Sequence, residues 1–141
     1  MTRLRSAWRL AAAAAFFVAL PVAAQQAQQP AVSTQGTWTP ISRAIEPLGP
    51  LTVSAIEIRW SICKGVRVAR VEADLASTVY VIEGQPGCVL DGQRLTHLKL
   101  TPKPGGAAGR CGAELSLFSS EKAWRDNQPD AWGLVERSPC P

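Results

Sequence analysis

Residues 51–62 read LTVSAIEIRWSI, and this stretch decides how the rest of the chain is read. Ile56, Ile58, Trp60 and Ile62 fall on one face of an extended chain, and Glu57, Arg59 and Ser61 fall on the other. Successive side chains of a strand point to opposite faces, so period two in β-branched and aromatic residues marks a half-buried strand. Residues 65–74 (GVRVARVEAD) continue the pattern, with Val66 and Val68 opposed to Arg67. Residues 78–83 (TVYVIE) are apolar on both faces, as in a strand covered on both sides. Leu98 and Leu100 form the apolar pair of residues 95–101, and Leu115 and Leu117 point inward from residues 114–119. Residues 132–136 supply a last strand that delivers Cys140 to its partner. Gln85-Pro86-Gly87 and Asp91-Gly92 are turn signals between these runs. Helix is confined to one turn over residues 119–124, with serine as its N-cap. The expected fold is all-β: a small antiparallel meander barrel or sandwich of six to eight strands.

Outward from this core, residues 1–9 are basic and residues 10–20 are an uninterrupted apolar run. Pro21 follows, and Val22-Ala23-Ala24 places small residues where signal peptidase cuts, which predicts a secretory signal over residues 1–24. Spanning a bilayer takes about 18 or more apolar residues, so no stable membrane anchor is expected. Residues 25–35 (QQAQQPAVSTQ) are uncharged and aperiodic and read as a flexible leader, ahead of a single β domain over residues 36–141. The 141-residue chain carries a formal charge of +4. Arg3, Arg5 and Arg9 leave with the signal and no acid does, so the exported domain is nearly neutral. That excludes a nucleic-acid partner bound through a basic face. The periplasm or the medium is the expected address.

Cys63, Cys88, Cys111 and Cys140 are an even set in a small exported domain, which predicts two disulfides. Zinc sites favour closely spaced cysteines or Cys/His mixtures, whereas these gaps are 25, 23 and 29 residues. Three connectivities exist, and sequential pairing, Cys63 with Cys88 and Cys111 with Cys140, is preferred. Gly36-Thr37-Trp38, followed by a run of strands, resembles the Gly-x-Trp opening of lipocalin- and avidin-type (calycin-like) secreted barrels. The resemblance implies that Trp38 plugs one end of a barrel whose open end holds a small ligand, and it transfers no ligand residue.

Catalytic sets are hard to find. Any triad would have to use His97, the sole histidine, and it reads as a surface residue on a half-exposed strand. Glu57, Glu72, Glu83 and Glu114 are scattered, each near a basic neighbour. Residues 103–110 (KPGGAAGR) are Gly-rich but lack the Gly-Lys-Ser/Thr ending of a phosphate loop, so they read as a hairpin loop. No catalytic residue, cofactor or metal is expected. Residues 124–132 (WRDNQPDAW) combine loop composition with large aromatic anchors, and tryptophan and arginine carry much of the energy at interfaces. Trp124, Arg125, Asp126 and Trp132 are therefore the candidate interaction surface, with residues 84–92 as a second loop pinned by Cys88. Trp60 reads as core. The expected function is an exported binding module, an inhibitor or envelope-interaction protein, whose partner is a periplasmic or envelope protein or a glycan. The alternatives are a small apolar-ligand carrier and a carboxylate-dependent hydrolase.

Overall fold

The computed structural model describes residues 33–73, 76–84, 87–104 and 109–140. The predicted signal lies outside these residues, as do Gln85, Pro86 and residues 105–108 of two predicted turns. The described strands are β1 (Gly36–Pro40), β2 (Leu51–Val53), β3 (Glu57–Trp60), β4 (Cys63–Ala73), β5 (Thr78–Glu83), β6 (Cys88–Leu90), β7 (Gln93–Leu95), β8 (His97–Lys103), β9 (Cys111–Phe118) and β10 (Ala131–Arg137). All pair antiparallel. β6 prolongs β5 along β4, because Glu83 lies opposite Arg67 and Cys88 lies opposite Cys63. β7 runs on into β8 with only Thr96 between them. Ten strands thus make eight staves, each paired with its neighbours in sequence, and β10 closes on β1 through Thr39↔Glu136 and Pro40↔Val135. Between the two predicted architectures, the chain is a closed up-and-down barrel. Gly36, Val53, Lys103, Cys111 and Arg137 stand at one rim, here the lower, and Pro40, Leu51, Cys63, Phe118 and Ala131 stand at the other.

An eight-stranded barrel is just wide enough for its own side chains to fill it. Ile58, Val66, Val68, Leu98, Leu100, Leu115 and Leu117 do so here, each from the face that alternation assigned it. Trp60 joins them, its indole N–H donating to the Gly49 carbonyl at 3.1 Å. Fully burying a side chain of this size stabilises by about 1.5–3 kcal/mol. The upper end is closed by the β1–β2 connection, which sets Ile45 over Gly133. A Cβ on Gly133 would lie 2.6 Å from Ile45 Cγ1, so only glycine lets the plug seat.

Residues 51–62 are not the single strand that their alternation predicts. Ser54 breaks them: its N–H donates to the Glu57 carbonyl at 2.9 Å, and its Oγ accepts from the Glu57 N–H at 3.0 Å. The turn contains neither glycine nor proline, and it leaves Ile56 exposed rather than on the inner face. Asp91 and Gly92 form the predicted turn, both with positive φ, as a two-residue type I′ hairpin requires. The predicted helical turn is α1 (Glu121–Arg125), with Ser120 Oγ accepting from the Ala123 N–H at 3.0 Å. Both disulfides join the expected pairs, Cys63–Cys88 and Cys111–Cys140.

Candidate functional site

Leu95 and Leu98 are both fully buried although three residues apart, which strict alternation forbids. The irregularity at Thr96 reconciles them, and its consequence is that His97 turns to the outer wall. The β9–β10 connection folds back over that wall from the upper rim. Trp124 of α1 lies flat on His97, with ring centroids 4.8 Å apart and planes 18° from parallel. His97 is therefore only 6% exposed, not the surface residue the sequence led us to expect. Its Nδ1 is 2.9 Å from Thr96 Oγ1. Burial pushes the imidazole below its ordinary value of 6.5; the Glu121 carboxylate opposes this and Arg125 adds to it.

A pH dependence follows. The unfolded chain takes up the His97 proton near 6.5 and the folded chain only at lower pH, so stability falls as pH drops through this interval. Urea midpoints between about pH 7.5 and 5 are expected to decline in the wild type and to flatten in His97→Gln. Glu121, held below its ordinary 4.5 first by its hydrogen bond to Arg125, acts in a lower window.

The other candidates separate according to what they touch. Arg125 lies 5.3 Å from the Trp124 ring and pairs with Glu121 at 2.6 Å; Asp126 pairs with Lys122. These are exposed pairs along one short helix and its C-cap, screened by solvent and of little weight for stability. Trp132 belongs to β10 and not to α1. It stands on the outside of β10 opposite Ser116 and is 56% exposed. Leu134, two residues along the same face, is 40% exposed. Ile41, 53% exposed, donates its N–H to the Leu134 carbonyl at 2.9 Å. The three make an apolar stripe on a rigid backing, because the Leu134 N–H also donates to Ser42 Oγ at 2.8 Å and Ile45 is locked over Gly133. The second candidate loop ends at the same rim: Val89 is exposed there beside the Asp91-Gly92 turn, while Cys88 is core. Neither tryptophan lies on a loop, since Trp124 belongs to α1 and Trp132 to β10, and residues 88–90 of the second candidate loop are strand β6. Trp124 serves the fold, and Trp132 is free.

Sequence reasoning missed a buried polar cluster at the lower end. Trp38 is fully buried and donates its indole N–H to the Thr34 carbonyl at 2.8 Å. Thr34 Oγ1 is 2.6 Å from the hydroxyl of Tyr80, on the stave opposite β1. Residues 33–35, expected to belong to the leader, therefore cross the lower mouth of the barrel. Arg137 lies over the Trp38 ring at 4.9 Å from its centroid and donates from Nη1 to the Gln35 carbonyl. Burial lowers its pKa from the ordinary value. The signal was present in β10, where Gly133, Val135 and Arg137 share one face of a strand whose first two members point inward.

Among the described residues no three His, Cys, Asp or Glu side chains gather as a metal site would require. Fold and site together define a closed, disulfide-stapled β-barrel with an apolar stripe on its outer wall. Its two disulfides indicate an oxidising, extracytoplasmic environment. No protein-family model, no curated protein and no solved structure matches the chain.

Proposed function

We propose that the protein is an exported binding module of the periplasm or medium that recognises a protein of the cell envelope, or a secreted hydrolase it inhibits, through its outer wall. The observation that carries this reading is the stripe of Trp132, Leu134 and Ile41, three large apolar side chains left to solvent on a locked backbone. A preorganised aromatic anchor loses little freedom on binding, and such residues dominate interface energetics. The filled interior supports recognition on the surface over carriage of an apolar ligand inside. The resemblance around Gly36-Thr37-Trp38 remains compatible with it, since that motif bears on the plug and not on the partner.

The test is capture of a partner from periplasmic extract by wild type, Trp132→Ala and Leu134→Ser. Both variants are expected to lose capture while their unfolding free energies stay within about 0.5 kcal/mol of wild type, as exposed substitutions do. Trp124→Ala is the control in the other direction, keeping the stripe but losing the stack on His97 and with it stability. Undiminished capture by Trp132→Ala would refute the reading.

A further inference from the structure

The lower end of the barrel holds a buried cation with no acidic partner among the described residues. Arg137 is 7% exposed. One edge of its guanidinium is filled by backbone: Nη1 donates to the Gln35 carbonyl, and a Cβ on Gly36 would lie 3.1 Å from Nη1 and 3.6 Å from Cδ. The Trp38 ring covers its face at 4.9 Å. The opposite edge carries Nε and Nη2, both buried and both without a hydrogen-bond partner among the described residues. Buried polar groups are almost always paired, and an unpaired buried charge is the costliest exception. These two nitrogens also have a specific geometry. Their N–H bonds run side by side and match the two oxygens of one carboxylate, the fork that distinguishes arginine from lysine.

Among the described residues, Lys103 pairs with Glu114 at 3.1 Å and Arg110 with Glu136 at 2.7 Å, whereas Arg137 has no acidic partner and leaves one charge unopposed. A planar anion of single charge fits that deficit better than a phosphate dianion, and it fits the paired donors better than a spherical halide. We propose that the Nε/Nη2 edge of Arg137 is a binding site for a small-molecule carboxylate, held by two parallel hydrogen bonds beside the Trp38 ring. Residues 33–35 form the strap over it, tied down by Thr34 to Tyr80, and entry requires the strap to lift. This site is independent of the outer-wall stripe, and neither stands or falls with the other.

Sodium acetate is the probe, titrated into the exported domain against sodium chloride and sodium phosphate at equal ionic strength. The readouts are the 15N signal of the Arg137 Nε–H and tryptophan emission. Acetate is expected to move both saturably, with affinity at least about tenfold above that for chloride or phosphate. Arg137→Lys keeps the charge but loses the fork, and is expected to weaken acetate binding by about tenfold or more. The wild-type titration decides the matter alone if that variant does not fold. An Arg137 signal that ignores acetate, or that responds equally to chloride or phosphate, would overturn the proposal.

Discussion

Reduction of both disulfides is expected to remove about 3–4 kcal/mol of stability for each bridge, on the chain-entropy account of loops of this length. A small domain has only about 5–15 kcal/mol in total, so the reduced barrel should sit near its unfolding threshold at room temperature. The bridges should also open in order. Cys63 and Cys88 lie within the hydrophobic core, whereas Cys111 and Cys140 are only partly buried at the lower rim. Reductant must reach a sulfur to attack it, so Cys111–Cys140 should open first. Alkylation with mass-spectrometric mapping over a dithiothreitol series reads the order, and urea unfolding reads the loss. Equal midpoints with and without reductant would contradict the first expectation, and early opening of Cys63–Cys88 the second.

The second large effect is expected from Trp38→Ala, at about 3–5 kcal/mol of lost stability. Three losses coincide there. The cavity lies at a fully buried position, the Thr34 carbonyl loses its indole donor, and the Arg137 guanidinium loses the ring beneath it. Trp38→Phe isolates part of this, because it keeps an aromatic ring and much of the apolar volume while removing the indole N–H. Its cost should be the smaller one of an unsatisfied buried acceptor, about 1–3 kcal/mol. Urea unfolding of both variants at one pH checks the ranking. Equal stability for the two would mean that the ring adds nothing beyond its hydrogen bond to the Thr34 carbonyl.

Local chemistry was legible in the sequence wherever one side chain or one short period decides the outcome. Alternation identified Ile58, Trp60, Val66, Val68, Leu115 and Leu117 as inward, because a strand has only two faces and burial selects one. Asp91-Gly92 was readable because few residues tolerate positive φ, and Ser120 because a helix start needs an acceptor. The break at Ser54 was not readable: a hydroxyl closed that turn, and serine occurs in strands as well.

The sequence by itself determined that this chain would make short antiparallel strands around an apolar interior, pinned by two disulfides whose pairing it left open among three connectivities. Only the tertiary structure decided that they close. Closure rests on β1 meeting β10, some hundred residues away in the chain, and no local pattern encodes a pairing at that distance. The same separation hid the fate of three side chains. His97 is buried because Trp124 folds back onto it, Ile45 seats because Gly133 has no side chain, and Arg137 loses its solvent because residues 33–35 cross above it. Each outcome depends on a contact between distant segments, and such contacts exist only once the backbone has closed the barrel.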